Sequence, residues 1–191
     1  MLSMMKAEDP RALEETARTL NAGGVALIPT DTVYGLAAHP RFPRAVERLY
    51  AIKNRDARKP VAMLAADAEA VAACGAALSG AALALARKHW PGALTLVLPC
   101  GGGFEGFRVP DSDFARALCA ECGGLLRVTS ANISGCAAAR DAAAALADVG
   151  LSCDIAVDGG PAKLGAASTV ARFASPSAPP EVLRPGPVDL S

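Results

Sequence analysis

The chain has 191 residues, enough for one domain with a substantial core but too few for two domains of ordinary size. Hydrophobic residues make up 52% of it and charged residues 20%, which excludes a disordered protein, and the aromatic content of 4% predicts a core of small side chains. The 19 Lys and Arg residues balance 19 Asp and Glu, so no overall charge attracts nucleic acid or an anionic membrane.

The predicted elements of the first half alternate between helices and strands. Asp9 as N-cap and Pro10 at the first helical position predict an opening helix that stops at Gly23 and Gly24. The apolar run Val25–Ile28 indicates a buried strand, and a polar turn over residues 30–35 follows it. The other elements are a helix over about 43–53, a strand over 61–64, and alanine-rich helices over 67–73 and 79–89.

The second half continues the alternation. Its predicted strands are 94–98, 107–109, 125–128, 155–157, 168–173 and 181–183, its helices are 113–122 and about 138–146, and residues 174–180 form a turn-rich loop. Strands that alternate with helices predict an α/β fold with a partly parallel sheet, and the closely spaced final strands suggest added antiparallel pairs. We expect a single domain over residues 1–191.

The sequence also bears on compartment and metal binding. An uninterrupted apolar run of membrane-spanning length is absent, and the start MLSMMKAEDP lacks a secretory signal, so we expect a cytoplasmic protein with no membrane contact. The cysteines are thinly spread in a chain large enough to fold without disulfides, so reduced thiols are expected. Cys119 and Cys122 have zinc-ligand spacing, but no second pair accompanies them; we interpret them as small buried side chains on a helix, with no metal site.

Two familiar functional motifs, a dinucleotide-binding loop and a catalytic triad, are disfavoured by the surrounding sequence. Residues 101–106 satisfy G-x-G-x-x-G, but an extended segment ended by Pro110 follows instead of a helix, so we expect a flexible loop rather than a dinucleotide site. His39 and His89 are the only histidines, and no serine lies in a G-x-S-x-G turn, which disfavours a catalytic triad and favours structural roles for both.

One segment of the chain, residues 41–60, is strongly basic. Residues 41–60 hold seven basic side chains against two acidic ones, a local charge of +5 that leaves −5 for the rest of the chain. Its first arginines fit an exposed helix face, whereas its later cations fall in a predicted loop, where Lys and Arg side chains can clamp a phosphate chain. The loop cations are Lys53, Arg55, Arg58 and Lys59.

Two hydroxyl-rich turns, residues 29–35 and 129–135, each follow a predicted strand. Helix capping accounts for one or two of their polar residues, and ligands of open α/β sheets collect at such strand ends. Arg108 and Arg184 have apolar neighbours, where a charge is costly unless an anion pairs with it. The turns and these two arginines are therefore expected to line one ligand site.

Together these segments resemble the YrdC-like threonylcarbamoyl-AMP synthases. The resemblance is carried, over residues 24–186, by the segments 29–36, 53–60, 90–95, 108–110, 130–135, 168–170 and 183–186. It implies the short, single-domain form of a YrdC-like α/β fold: a twisted, mixed parallel and antiparallel open sheet, flanked by helices, with a concave cationic cleft.

The resemblance also implies an activity. It is that of an L-threonylcarbamoyladenylate synthase, a nucleotidyltransferase that makes threonylcarbamoyl-AMP and pyrophosphate from L-threonine, bicarbonate or CO2, and ATP. The product serves the threonylcarbamoyl modification of the adenosine next to the tRNA anticodon. Mg²⁺ carried with ATP is the implied cofactor, and tRNA or a threonylcarbamoyl-transferase complex is an implied partner.

Residue roles follow from the same resemblance. The implied catalytic residues are Lys53 and Arg55; the implied ATP-binding residues are Lys53, Arg55, Lys59, Thr95, Asn132, Arg140 and Arg184; the implied threonine-binding residues are Thr32, Arg108, Ser130 and Ser168. The sequence departs from the family pattern at Asp56, which places an acid beside the phosphate clamp, at Leu64, where some members carry histidine, and over residues 136–139.

Two alternatives stay open at this stage. The basic segment is compatible with a double-stranded RNA or tRNA-binding module of the same fold without synthase turnover, although zero net charge and few aromatic residues disfavour it. A carbamoyl-transfer domain like that of hydrogenase maturation proteins is the other, and the zinc-finger-like segments that accompany such domains are missing.

Overall fold

A computed structural model describes residues 2–56, 58–149, 152–175 and 178–190. Across these residues one sheet takes in ten strands. The strands are β1 Ser3–Lys6, β2 Val25–Ile28, β3 Gly35–Ala38, β4 Met63–Ala65, β5 Leu94–Cys100, β6 Gly103–Arg108, β7 Leu125–Ser130, β8 Ile155–Asp158, β9 Thr169–Arg172 and β10 Glu181–Arg184. The helices are α1 Ala12–Asn21, α2 Pro43–Lys53, α3 Ala68–Ala73, α4 Gly80–His89, α5 Asp113–Glu121 and α6 Ala142–Val149.

The sheet is mixed, as the sequence predicts. Its strand order is β1-β8-β2-β3-β7-β4-β6-β5-β9-β10. The pairs β1–β8, β2–β8, β4–β6 and β5–β9 are parallel, and the other neighbours are antiparallel. Strands far apart in sequence thus come side by side, which brings β6, β9 and the ends of β2 and β7 to one region.

Helices cover both faces of the sheet around β2. Val25 and Leu27 pack in one apolar cluster with residues of α2 and α6, whereas Ala26 and Ile28 pack in another with residues of α1 and α5. Successive residues of a strand point to opposite faces, so a continuous apolar run is what a strand buried on both sides requires. Many of the buried residues are alanines, which confirms the predicted small-residue core.

Two of the strands, β1 and β3, are not predicted from the sequence. Three of the four residues of β3 are Gly or Ala, which have low strand propensity, so the sequence shows only a polar turn that ends at Gly35. A Cβ on Gly35 would lie 2.7 Å from a methyl carbon of Val128, so glycine allows β3 to approach β7 closely. β1 is a short and largely exposed edge strand that pairs only with β8.

Two helices begin later than predicted. The Asp9 carboxylate accepts a hydrogen bond from the Arg11 amide at 2.9 Å, so Asp9 and Pro10 form a turn and α1 begins only at Ala12. The carboxylate of Asp141 accepts from the amide of Ala144 at 2.8 Å, which sets the start of α6 four residues after the predicted one.

The glycine-rich segment is a hairpin, so the prediction of a flexible loop is wrong. Gly101 and Gly102 have φ values of +57° and +82°, which suit a tight turn between β5 and β6. Strand β6 begins at Gly103, which also rules out the helix that a dinucleotide site needs. Of the predicted loop 174–180, residues 176 and 177 lie outside the described residues.

The cysteine pair behaves as small buried side chains. Cys119 lies on α5, Cys122 caps its end, and both are buried. Burial raises the pKa of the Cys119 thiol to about 12, which keeps it protonated and poorly reactive at neutral pH. In the part of the chain that the structure describes, helices stay shorter or less apolar than a bilayer crossing demands.

Candidate functional site

A cavity of about 580 Å³ lies where the two hydroxyl-rich turns meet strands β5, β6 and β9. Its charged lining residues, among those the structure describes, are all arginines: Arg55, Arg108, Arg172 and Arg184. Seven of the predicted site residues line it, namely Thr32, Arg55, Thr95, Arg108, Ser130, Ser168 and Arg184. The departure Leu64 lines it as well.

The first turn, residues 29–34, joins β2 to β3 and is held by its own hydroxyl groups. The hydroxyl of Thr30 donates to the carbonyl of Val33 at 2.7 Å and lies 3.0 Å from the hydroxyl of Thr32. Both threonines are buried, yet both line the cavity. The turn therefore presents hydroxyl groups from a fixed backbone.

Arg108 has its anionic partner inside the protein. Its Nη1 lies 2.6 Å from Oδ1 of Asp31 in the first turn, and the two side chains are 8% and 2% exposed. Asp31 was not among the predicted site residues, although it stands between Thr30 and Thr32 in the sequence. Its Oδ2 is buried and has no hydrogen-bond partner among the described residues. Nη2 of Arg108 lies 3.5 Å from the hydroxyl of Thr30, so the first turn orients an arginine that lines the cavity.

The second turn, predicted over residues 129–135, begins at the end of β7, extends to Cys136 and is held by Lys53. Lys53 is the last residue of α2, and its ammonium group donates to the carbonyl oxygens of Ser130 and Asn132. Its exposure is 1%, and burial together with the neighbouring positive charge of Arg55 lowers its pKa to about 8. Lys53 thus lies behind the cavity wall instead of in the loop that the sequence suggests.

Asn132 is also occupied by contacts within the second turn. Its amide nitrogen donates to the carbonyls of Ile133 and Cys136, the latter at 2.7 Å. Asn132 is buried and does not appear among the residues that line the cavity. Its place in the structure is that of a turn-forming residue next to Ser130.

Of the predicted phosphate clamp, the structure brings only Arg55 to the cavity. Arg55 donates to the carbonyls of Lys59 and Pro60, both at 3.1 Å, whereas the side chain of Lys59 is exposed to solvent. Asp56 pairs with Arg58 at 2.8 Å, so this acid is engaged away from Arg55.

Thr95, Ser168 and Arg184 form one hydrogen-bonded group on the opposite wall. The hydroxyls of Thr95 and Ser168 are 2.8 Å apart, and Nη2 of Arg184 donates to the carbonyl of Ser168 at 2.7 Å and lies 3.2 Å from its hydroxyl. Burial and the positive charges of Arg55 and Arg108 lower the pKa of Arg184. Three guanidinium groups therefore share one electrostatic environment that an anion would stabilise.

Arg140 lies apart from this site. It is exposed, and it packs so closely on Gly165 that a Cβ there would lie 2.3 Å from its Nε. Phe104 and Arg172 also line the cavity, although the sequence predicts no site role for either. Counting back in steps of two from Arg108 along β6 would have found Phe104, because alternate residues share a face of a strand.

A resident metal is not supported by the described side chains. Among them, no group of three or more His, Cys, Asp or Glu residues comes together. Asp31 faces Arg108, and Glu105 pairs with Arg127.

Sequence comparisons give the relatives of the chain. The profile of the family described as telomere recombination, the Sua5, YciO and YrdC proteins, matches residues 18–186. Threonylcarbamoyl-AMP synthase of Bacillus subtilis is 34% identical over 193 residues, covering 95% of this chain and 55% of that protein. A putative threonylcarbamoyl-AMP synthase of Mycobacterium leprae is 32% identical, covering 95% and 86%.

Solved structures of family members superpose on the chain. Sua5 of P. abyssi complexed with L-threonine superposes with a TM-score of 0.85 at 29% identity, covering 97% of this chain and 57% of that one. YciO of E. coli superposes with a TM-score of 0.84 at 22% identity, which supports the fold alone. The chain spans 55% of the length of the B. subtilis relative and 86% of the mycobacterial one. The chain belongs to the Sua5, YciO and YrdC family.

Proposed function

We propose that this protein is an L-threonylcarbamoyladenylate synthase that uses L-threonine, bicarbonate or CO2, and ATP. The observation that carries the proposal is the set of arginines in one cavity. Arg55 and Arg184 have no carboxylate within ion-pair distance among the described residues, and they face the same space as Arg108. Positive charge that lines a cavity without a carboxylate partner is stabilised by an anionic ligand such as a nucleotide.

Threonine binds, in this proposal, between the first turn and Arg108. The N–H groups of Arg108 that do not face Asp31 take the carboxylate of threonine. The hydroxyls of Thr32, Ser130 and Ser168 line the same space and contact the polar groups of the amino acid. The complex of a family relative with L-threonine supports a threonine site in this fold.

ATP binds beside threonine, with its phosphates toward Arg55 and Arg184. Thr95 belongs to the hydrogen-bonded group of Arg184 and helps to fix that guanidinium. Lys53 and Asn132 act through the second turn, because their polar atoms face its backbone instead of the cavity. Lys59 and Arg140 do not line the cavity, so their contact with ATP remains a prediction.

The reaction needs positioning and charge neutralisation more than a protein nucleophile. The neutral amine of threonine attacks CO2, forming a C–N bond and a carbamate and releasing a proton. A carbamate oxygen then attacks the α-phosphorus of ATP, and the bond from that phosphorus to the bridging oxygen breaks, so that pyrophosphate leaves. Arg55 offsets the charge that develops on the phosphates, which makes it the proposed catalytic residue of this step. Mg²⁺, when carried in by ATP, neutralises part of the same charge.

The proposed product suggests the partners. A threonylcarbamoyl adenylate carries an activated acyl group, and the family resemblance supports the tRNA adenosine next to the anticodon as its acceptor, reached directly or through a threonylcarbamoyl-transferase complex. A cytoplasmic location is part of the same proposal.

The test is pyrophosphate release by the purified protein. Release should require both threonine and bicarbonate, and mass spectrometry should find threonylcarbamoyl-AMP. Arg55→Ala should lower turnover mainly through ATP, and Arg108→Ala should raise the KM for threonine. Release that ignores threonine would overturn the synthase assignment, and unchanged kinetics in both variants would overturn the placement of the substrates.

A role as an RNA-binding module has less support. Within the basic segment, Arg48 pairs with Asp154 and Arg58 pairs with Asp56, which lowers the charge that the segment offers to a polyanion. Tight RNA binding with a steep salt dependence and no pyrophosphate release would favour the module instead.

A further inference from the structure

Two cysteines that are far apart in the sequence come together in the fold. Cys74 caps the end of α3, and Cys100, 26 positions later, is the last residue of β5. The Sγ of Cys100 lies 3.7 Å from the carbonyl oxygen of Cys74. Burial and the neighbouring thiol of Cys100 raise the pKa of the Cys74 thiol, so the two thiol groups interact as well. The fold therefore creates a thiol pair whose spacing in the sequence gives no sign of it.

The pair lies on the opposite face of the sheet from the cavity. Alternate residues of a strand point to opposite faces, and Thr95 and Val97 of β5 line the cavity. Cys100 packs instead, like Leu96 and Leu98, against the apolar cluster that includes residues of α3 and α4. A chemical change at the thiol pair therefore does not involve the side chains that line the cavity, and the inference is independent of the proposed function.

Backbone contacts hold the two chain segments side by side. The amide of Ala77 donates to the carbonyl of Pro99 at 2.9 Å. Ala77 stands three residues after Cys74, and Pro99 directly precedes Cys100. A disulfide joins Cα atoms that are about 4.4–6.8 Å apart, so it needs two chain segments in direct contact. The end of α3 and the end of β5 are in such contact before any bond joins them.

Exposure distinguishes this pair from other cysteines of the chain. In the structure all the cysteines are free; Cys74 is exposed and Cys100 is half-buried, whereas Cys119, Cys122 and Cys153 are buried. Oxidation of a thiol requires that the oxidant can reach it. The closely spaced Cys119 and Cys122 lack that access, and Cys74 has it.

Glycines leave open space around the two thiols. Gly75 follows Cys74, and Gly101 and Gly102 follow Cys100. A Cβ on any of these three glycines would meet no described atom within 4 Å beyond its own chain neighbours. A small molecule can therefore approach the pair from solvent.

We propose that Cys74 and Cys100 are a redox modification site, at which a low-molecular-weight disulfide such as oxidised glutathione closes a reversible bond between α3 and the β5–β6 hairpin. The thiolate of the exposed Cys74 attacks one sulfur of the reagent, forms a mixed disulfide and releases one small thiol. The thiolate of Cys100 then attacks the Cys74 sulfur, forms the internal S–S bond and expels the second small thiol. Two protein thiols are oxidised, the reagent is reduced to two thiols, and the two protons pass through solvent to the released thiolates. An excess of small thiol reverses both steps.

The bond has a structural consequence. It clips the outer end of the β5–β6 hairpin to α3, and the second strand of that hairpin carries Arg108 to the cavity. Cross-linking residues 26 positions apart also restricts the unfolded chain. The oxidised protein should therefore unfold at a higher urea concentration than the reduced protein.

Mass spectrometry tests the bond in the full chain. The reduced protein is incubated with oxidised glutathione in a mildly alkaline buffer and denatured, and its remaining thiols are alkylated. The monomer band of a non-reducing gel is then digested with trypsin, which cuts after Arg87 and Lys88, between the two cysteines. The expected product is a pair of peptides joined through Cys74 and Cys100, which dithiothreitol separates. The urea midpoint should rise on oxidation and return on reduction.

Two variants supply the controls. Cys136→Ser removes another exposed cysteine, and it should form the same joined peptides as the wild type. Cys100→Ser should stop at a glutathione adduct on Cys74, because the second thiol that expels glutathione is missing, and its urea midpoint should not rise. Cys100→Ala replaces Cys100→Ser if the latter does not fold by circular dichroism.

The proposal fails if the wild type carries glutathione on both cysteines without joined peptides, or if the bond forms between Cys119 and Cys122 instead. It also fails if the urea midpoint of the wild type does not rise on oxidation, or if that of Cys100→Ser rises equally, because the hairpin is then not clipped. These measurements need no substrate. A wild type without threonine-dependent pyrophosphate release would overturn the proposed function and leave the thiol pair unaffected.

Discussion

The two hydroxyl-rich turns are similar in composition but are held in different ways. The first turn is closed by the hydroxyl of Thr30 and carries a buried carboxylate, Asp31, that pairs with Arg108 of β6. The second turn is held from outside by α2. The ammonium of Lys53 donates to carbonyl oxygens of the turn, and the backbone carbonyl of Lys53 accepts from the amide of Ser134 at 3.1 Å. One turn therefore supplies its own anion, whereas the other depends on a cation 79 residues away from Asn132.

The difference teaches what each turn contributes to the cavity. In the first turn a negative charge sets the direction of a cavity arginine. In the second turn the ammonium group of Lys53 donates to backbone carbonyls, and Lys53 does not line the cavity. Substitutions that remove one charge from each turn should therefore have different consequences, and the following predictions run from the largest expected effect to the smallest.

The largest effect is expected from Asp31→Ala. It leaves Arg108 as a buried charge without its partner, which should lower the free energy of unfolding by about 3–5 kcal/mol. Urea denaturation measures the change. Asp111→Ala is the control, since it breaks the exposed pair of Lys163 and Asp111 and should cost at most about 1 kcal/mol. Equal losses in the two variants would show that burial of the first pair is energetically unimportant.

Lys53→Met tests the second turn. It removes the ammonium group that donates to the carbonyl oxygens of Ser130 and Asn132, so we expect a loss of about 2 kcal/mol in the free energy of unfolding. Amide hydrogen exchange should rise for residues 130–136 and stay unchanged in the first turn. Lys59→Met, which removes an exposed cation of the same segment, should change stability by less than about 0.5 kcal/mol. Faster exchange in both turns would contradict their independence.

The pH dependence of stability sharpens the role of Lys53. Its pKa is about 8 in the folded protein against an ordinary 10.5, so between these values the unfolded chain binds more protons. The wild type should therefore gain stability relative to Lys53→Met as pH rises from 8 to 10.5, by at most about 1.4 kcal/mol per pH unit. Below pH 8 the difference in the free energy of unfolding between the wild type and Lys53→Met should be constant. If this difference in the free energy of unfolding became smaller as pH rises, the carbonyl contacts would be raising the pKa of Lys53.

The smallest effect is expected from Thr30→Val. It keeps the shape of the side chain and removes the hydroxyl that donates to the carbonyl of Val33. This change should lower the free energy of unfolding by about 1 kcal/mol, measured by urea denaturation. Ser134→Ala removes an exposed hydroxyl from the second turn and should have no measurable effect. A loss in Ser134→Ala as large as that in Thr30→Val would contradict the view that hydroxyls hold only the first turn.

Local patterns predict much of the fold. The helix over 43–53 has the predicted bounds, because Pro43 starts it and Asn54, at φ +48°, ends it. β3 is missed because three of its four residues are Gly or Ala, so its strand character comes from pairing with β2 and β7 and not from propensity. Asp141 delays the start of α6 because a side-chain cap competes with the preceding alanines.

The sequence predicted which residues form the candidate site better than it predicted what those residues contact. Arg108 needed an anion because its neighbours are apolar, but only the packing of the first turn against β6 shows that Asp31 provides it. Lys53 looked like a phosphate ligand because it begins a run of loop cations, yet the last turn of α2 points its ammonium to the second turn. Phe104 and Arg172 gave no motif, since their contact joins strands that are distant in sequence.

The sequence by itself determined the α/β class, the apolar strand β2, the two turns and the cationic residues near them, because these depend on composition and on periods of two and 3.6 residues. Its local charge of +5 over residues 41–60 pointed to a polyanion site. Only the tertiary structure decided which charges face the cavity. It places Arg55, Arg108, Arg172 and Arg184 there and turns Lys53 away, because long-range pairing of strands and the burial of each charge set where a side chain can point.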